Sequence, residues 1–252
     1  MLELKQIEMK FSDTRVISDI NLQIPMHGVT SIIGGNGAGK STLLGIMSRL
    51  LVPTSGTVTL NNIALDDYEP SVLAKKMAIL TQSQQVQARL SVRELVTFGR
   101  FPYHKGRPTE QDNRLIDDAI RFFDLQALQH RFLDQLSGGQ KQRAFIAMVF
   151  AQDSDYVLLD EPLNNLDMKH SRIMMKLIRQ AADESGKRVI VVLHDINFAS
   201  IYSDQIIAMR DGAIIYHQQS QQFMTAEKLE KVFDMPMQVQ VVDDKRVSFY
   251  YT

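Results

Sequence analysis

The 252-residue chain predicts an α/β fold: a mainly parallel sheet, an antiparallel β layer and an inserted helical subdomain. Three observations predict it. The short apolar run Val29–Ile33 leads through a glycine-rich loop into the helical pattern Ser41–Leu51. The runs Val29–Ile33, Tyr156–Leu159 and Val189–Leu193 read as buried, mainly apolar strands, and each is followed by polar residues. Strands buried on both faces, with polar groups past their carboxyl ends, are the signature of a parallel sheet with its site at those ends. Finally, helical periodicity dominates from about residue 91 to 152.

Each element follows from local pattern. Residues 2–10, 16–25 and 56–60 alternate apolar and polar, which suits an antiparallel β layer with one face buried. Ala78-Ile79-Leu80 is a further strand, ending before Thr81-Gln82. Helical periodicity predicts helices over Ser91–Gly99, Thr109–Phe123 and Ser137–Gln152, with Ser137 suited to an N-cap. They make residues 83–152 a helical subdomain. Lys169–Glu184 is an amphipathic helix closed by Gly186, and a short helix follows His194. Gln205–Met209 and Ala213–His217 read as strands, and Gln218–Gln222 as a polar linker. Residues 223–252 hold one helix and one hairpin, too little for an independent regulatory domain.

Composition narrows the function. Formal net charge is −1, from 28 basic and 29 acidic residues, so no dedicated nucleic-acid surface is expected. His104-Lys105-Gly106-Arg107 reads as a solvated loop. The chain has no cysteine, which excludes disulfides and thiolate metal sites. The start MLELKQIEMK lacks a signal-peptide core, and the longest apolar run, Ala144–Ala151, is too short to cross a bilayer. The expectation is one soluble domain over 1–252.

Gly34 to Thr42 reads G-G-N-G-A-G-K-S-T. This fits a phosphate-binding loop, G-x-x-x-x-G-K-[ST]. Backbone amides must wrap a polyphosphate closely, and the glycines at 34, 35, 37 and 39 leave them uncovered. Asn36 and Ala38 complete the loop. The following helix points its positive end at the same anion. Lys40 adds a mobile charge, the Ser41 hydroxyl suits Mg²⁺, and Thr42 continues the first turn. Tyr156–Leu159 runs into Asp160 and Glu161. Asp160 suits Mg²⁺ through water, and Glu161 suits activation of an attacking water. Leu136-Ser137-Gly138-Gly139-Gln140 places a cap and two glycines at a helix start, a second site for phosphate.

These motifs, in this order, resemble the ATP-binding cassette (ABC) ATPases over about residues 1–220. The resemblance implies the P-loop ABC ATPase fold, with ATP and Mg²⁺ as ligands. Gly34–Thr42 is similar to the Walker A loop, and Leu136–Gln140 to the family's LSGGQ signature. Asp160 and Glu161 resemble Walker B and the catalytic glutamate. Gln82 matches the Q-loop glutamine, which also approaches the metal. Asn164-Asn165-Leu166-Asp167 matches the D-loop, with Asp167 toward the nucleotide, and His194 the switch histidine. Phe11 falls where an aromatic stacks on adenine, with Val16 beside it. Gly35 stands where Pro is usual, and Asn164-Asn165 where Ser-Ala is common.

The resemblance further implies a split site. Ser137, Gly138, Gly139 and Gln140 of one subunit would serve ATP held by the loop of a second, most simply in a homodimer. Gly99-Arg100-Phe101-Pro102-Tyr103 resembles an element of iron-siderophore, haem and cobalamin importers that meets the membrane subunit. The segments 161–167 and 194–199 resemble the siderophore branch. The implied function is ATP hydrolysis driving ferric-siderophore import. It implies a polytopic permease, an upstream substrate-binding protein, and a peripheral place at the cytoplasmic face of the inner membrane. Haem or cobalamin import is the alternative. A soluble ABC protein of DNA repair or translation would carry a long coiled coil or a second cassette, and neither is present. A P-loop kinase lacks the signature and His194.

Overall fold

β1 (Leu2–Phe11) and β2 (Thr14–Gln23) pair antiparallel. β1 does not keep one parity along its length. Leu2 and Leu4 are buried, then Ile7 and Met9. The switch occurs at Gln6, whose φ of 50° marks a bulge that shifts the register between Leu4 and Ile7. β3 (Gly28–Gly34), α1 (Lys40–Met47), β4 (Ser55–Leu60) and β5 (Ile63–Ala64) follow. The antiparallel layer has the order β2-β1-β4-β5. This computed structural model describes residues 1–82, 88–104, 106–164 and 166–250. Lys105 and Asn165, named above in the basic cluster and the D-loop, lie outside the described residues.

The chain divides into two compact units. One comprises Met1–Tyr68 with Arg188–Thr252, and the other Glu69–Lys187. The second unit opens with α2 (Pro70–Lys76) and β6 (Met77–Leu80). Then come α3 (Val92–Phe98), α4 (Phe101–His104), α5 (Glu110–Phe122), α6 (Gly138–Ala151), β7 (Tyr156–Asp160) and α7 (Met168–Ser185). α3, α5 and α6 are capped by Ser91, Thr109 and Ser137; the cap at Ser137 is the one expected from the sequence. Each closes a capping box, with Glu94, Asp112 and Gln140 reaching back. A cap of this kind stabilises by about 1 kcal/mol, so three of them fix the helix starts independently of packing. The core of these helices is apolar, with Phe123 and Phe150 centroids 5.3 Å apart. β6 and β7 pair parallel, with Leu80 beside Leu159.

The first unit resumes with β8 (Arg188–Val192), α8 (Ile196–Tyr202), β9 (Gln205–Arg210) and β10 (Ala213–Gln219). It ends with α9 (Ser220–Phe223), α10 (Ala226–Phe233) and the hairpin β11 (Gln238–Val242) and β12 (Lys245–Phe249). β3 pairs parallel with β8 on one side and β9 on the other, and β10 adds an antiparallel edge. β3 and β8 are almost wholly buried, as strands covered on both faces must be, and in β3 this burial includes Thr30 and Ser31.

Two expectations of detail are corrected. The first helix ends at Met47 rather than Leu51, because Gly45 O accepts the amides of Leu50 and Leu51 and turns the chain. Gln218–Gln222 is not a linker. It completes β10 and forms α9, because Ser220 N–H donates to Asp204 O and Ser220 is buried. Long-range bonds overrode a polar composition.

Candidate functional site

In the first unit the phosphate loop joins β3 to α1. Lys40 is 5% exposed, and its Nζ donates to Gly34 O and Gly35 O, both at 2.9 Å. A buried ammonium needs such partners, and carbonyls that can hold it can yield to phosphate oxygens. Gly39 caps α1 with φ 94°, and a Cβ there would lie 2.8 Å from Ile17 Cδ1 and 3.0 Å from Val16 O. Only glycine suits this position. Val16 therefore abuts the loop through its backbone. At Gly35 a Cβ would meet nothing within 4 Å, so this departure removes no packing contact. Asn36, Gly37 and Ser41 are exposed, while Ala38 is buried and Thr42 half-buried. Phe11 ends β1 with 47% exposure, leaving a ring face open to stacking.

Strand register brings His194 to the same edge. β3 and β8 run parallel with Ile32 beside Val192, and Leu193 N–H donates to Ile32 O at 3.1 Å. Both strands thus end level, one in the phosphate loop and one in the exposed His194. Asp195 then caps α8, accepting from Asn197 N–H at 2.7 Å and Phe198 N–H at 3.1 Å.

In the second unit the same logic joins Gln82 to Glu161. Leu80 lies beside Leu159, so two residues on, Gln82 stands opposite Glu161. Gln82 Nε2 donates to Glu161 Oε2 at 2.6 Å, and Asn164 Nδ2 donates to the same oxygen. Asp160 closes β7 at 9% exposure. Glu161 follows with φ 49°, a left-handed conformation that costs a non-glycine residue on the order of 1 kcal/mol. It turns the carboxylate toward the two amides.

The signature segment opens α6. Ser137 Oγ accepts Gln140 N–H at 3.3 Å, and Gln140 Oε1 accepts Ser137 N–H at 3.0 Å. Gln140 is thus engaged in the cap, while the Gly138 and Gly139 amides stand at the positive end of a 14-residue helix. Sequence reasoning missed His170. A Cβ at Gly139 would come within 3.0 Å of its ring, and His170 N–H and Nδ1 both bond Asp167 Oδ1. The His170 N–H bond, with that of the ring, holds the Asp167 carboxyl below its ordinary pKa. Asp167 is therefore the N-cap of α7 and lies one residue-contact from the signature. No sequence motif flagged that link.

Arg100 is corrected. Expected at a partner surface, it is 4% exposed. Its Nε pairs with Asp112 Oδ1 at 2.9 Å and its Nη1 donates to Ala151 O, the last carbonyl of α6, and to the O of its C-cap Gln152. The guanidinium also lies 3.7 Å from the Tyr103 ring centroid. Gly99 is fixed likewise: a Cβ would fall 2.0 Å from Met148 O. Within this element Phe101 and Tyr103 are exposed, at 52% and 37%, and the preceding Phe98 is 52% exposed. Phe98 and Phe101, with Leu90 and His104, line a groove of about 290 Å³.

The ABC transporter family profile matches residues 17–164. The petrobactin import ATP-binding protein YclP of Bacillus subtilis (strain 168) is 46% identical over 252 residues, 100% of each chain. The petrobactin import ATP-binding protein FatE of Bacillus anthracis is 44% identical, over 95% of this chain and 96% of its own. A dimeric ATP-binding cassette solved in a post-hydrolysis state with ADP and Pi matches with a TM-score of 0.77 at 30% identity, over 87% of this chain and 99% of that one. With the phosphate loop, the acidic strand end and the signature helix in place, the chain belongs to the ABC transporter family, as a cassette that binds and hydrolyses ATP.

Proposed function

We propose that the chain is the ATPase subunit of a ferric-siderophore importer, working as a homodimer beneath a membrane permease. The observation that carries this reading is full-length likeness to siderophore-import ATPases, joined to an apolar groove at the element expected to meet the permease. The groove between α3 and α4 presents Phe98 and Phe101 to water, which suits an apolar helix of a membrane partner. A substrate-binding protein would feed the permease from the far side. Among the described residues no helix is long and apolar enough to cross a membrane; the place proposed is peripheral, at the cytoplasmic face.

In this reading the loop 34–42 cradles the ATP phosphates, and Lys40 exchanges its carbonyl partners for phosphate oxygens. Phe11 and Val16 hold the adenine. Ser137, Gly138 and Gly139 close the site of the other subunit, with Asp167 near it; Gln140 supports them through the cap. Glu161 takes the proton of the attacking water, oriented by Gln82, and His194 contacts the γ-phosphate. The donor set fits Mg²⁺. Ser41 has a hydroxyl, Asp160 a carboxylate and Gln82 an amide oxygen, all hard oxygen ligands of the kind this ion takes. Among the described residues no cluster of three or more His, Cys, Asp or Glu could hold a metal. Few protein ligands, with phosphate oxygens completing the shell, is the usual arrangement for that ion. Bound there, it would neutralise phosphate charge.

The test is genetic. A deletion strain should grow poorly when iron is chelated and recover with excess free iron. Uptake of radiolabelled ferric petrobactin, as probe, should fall. Unchanged siderophore uptake with lost haem or cobalamin uptake would overturn the substrate assignment in favour of that cargo.

A further inference from the structure

The C-terminal hairpin of the first unit has one covered edge and one open edge. α8 covers the outer side of β12. Ser248 N–H donates to Asn197 Oδ1 at 2.8 Å, Asn197 Nδ2 donates to Ser248 O at 3.2 Å, and Ser200 Oγ donates to Arg246 O at 2.7 Å. Ser248 and Arg246 thus turn these backbone groups away from β11. Their partners in the ribbon are Val239 and Val241. In an antiparallel ribbon both members of such a pair face outward. Val239 and Val241 therefore present their N–H and C=O groups at the far edge of β11.

That edge carries none of the devices that block strand addition. β11 reads Gln238-Val239-Gln240-Val241-Val242, with no charge and no proline. Its pairing with β12 runs without a register shift. Asp243 and Asp244, at φ 48° and 60°, close the turn in the left-handed conformation that two-residue hairpins favour. Val241 is 67% exposed. Borders of the other sheets in this unit differ. β2 is bulged against β1, carries Arg15 and Asp19, and gives Ser18 N–H to Gly212 O. β5 has two residues, and β10 shifts register against β9.

The open edge is complementary to itself. Two copies related by a two-fold axis at Gln240 set Val239 of each opposite Val241 of the other. These residues face outward, so four backbone hydrogen bonds form. The four valines share one face, as β-branched neighbours that stabilise a sheet. No charge opposes another. An axis at Val239 would pair Val241 with the buried Met237, and an axis at Val241 would pair Val239 with Asp243 in the turn. Only the axis at Gln240 uses both valines. The outer strands of the resulting four-stranded sheet are the two β12, each already covered by α8. Pairing therefore closes at two copies.

We propose that β11 is a dimer contact of this cassette, paired antiparallel with β11 of a second copy. This pairing rests on the reading of the chain as a homodimer, and adds a contact separate from the nucleotide motifs. Five residues make too small an interface to hold a dimer alone. The contact acts in a dimer already joined by ATP, where it forms at high effective concentration.

The chain has no cysteine, so one introduced thiol reports the register. Opposed residues 240 form a non-hydrogen-bonded pair with Cα atoms about 4.5 Å apart, within the span of a disulfide. The two residues 238 lie about 14 Å apart along the strands, beyond it. The experiment uses the full-length chain carrying Glu161→Gln, with ATP, and adds Gln240→Cys, Gln238→Cys or Val241→Lys. Under mild oxidation Gln240→Cys should give a covalent dimer with at least roughly fivefold the yield of Gln238→Cys. Val241→Lys should raise the dissociation constant of the ATP-dependent dimer roughly tenfold. Its nucleotide-free Tm should move by less than about 2 °C, because the site is exposed. Equal yields at 240 and 238, or no cross-link at 240, in a dimer that ATP still traps would overturn the strand pairing alone. An unchanged dissociation constant in Val241→Lys would do the same. Sedimentation of species larger than a dimer would show an edge that does not close, and would overturn it too. If the Glu161→Gln chain stays monomeric with ATP, the homodimer reading fails, and the strand pairing with it.

Discussion

Gln82 Nε2 donates to Glu161 Oε2 across 2.6 Å, joining residues 79 apart in sequence. Parallel pairing of Leu80 with Leu159 makes this contact almost unavoidable, since each residue lies two steps past its paired strand position. The carboxylate proposed to activate water is thereby held by an amide, with Asn164 on the same oxygen. The backbone strain at Glu161 is offset by these bonds.

Glu161→Gln should retain ATP and lose turnover. The amide preserves shape while removing the base, so kcat should fall roughly 10²- to 10⁴-fold. ATP should then trap a dimer resolvable by size exclusion. ATPase activity near that of the unmodified chain would exclude Glu161 as the base.

Complementation tests the split site. Lys40→Ala disables a chain's own phosphate loop, and Ser137→Arg blocks the site that chain completes for its partner. In a mixed dimer one site carries both defects and the other neither. Mixing the two inactive chains should restore part of the activity. If no ratio does so, each chain does not contribute half of two sites.

Arg100 and Asp112 form a buried pair, each 4% exposed. Arg100→Ala leaves the carboxylate unpaired and should destabilise by about 3–5 kcal/mol, read as a lower urea midpoint at constant slope. Burial alone would raise the Asp112 pKa. The Thr109 N–H and hydroxyl, with Arg100, outweigh it and hold the group at about 2. A depressed carboxyl contributes stability above its unfolded pKa and loses it as pH falls through the folded value. The contribution, roughly 2 kcal/mol from the shift, should therefore fade between about pH 4 and pH 2. Asp112→Asn should flatten that part of the profile. An unaltered profile would show that another group governs it.

Phe101→Asp tests the permease groove. The ring is half-exposed, so Tm of the isolated chain should move by less than about 3 °C. Co-purification with the permease should fall at least roughly tenfold, a loss of about 1.4 kcal/mol in binding. Unchanged co-purification would place the docking surface elsewhere.

The sequence alone determined what local chemistry dictates. Gly34–Thr42 needs uncovered amides, Ser137 caps a helix within four residues, and mainly apolar runs must be buried. Each of these is settled by near neighbours in the chain, so it was legible without coordinates. The tertiary structure decided what distant groups settle. Arg100 looked like a surface cation until Asp112 and the α6 carbonyls enclosed it. Gln218–Gln222 looked like a linker until Asp204 O accepted Ser220 N–H. Asn197 lies in the segment 194–199 noted in sequence, but its partner is Ser248, 51 residues away. Polar side chains are ambiguous in sequence for a physical reason: water can satisfy them equally well, and only the fold decides whether another part of the chain takes the water's place.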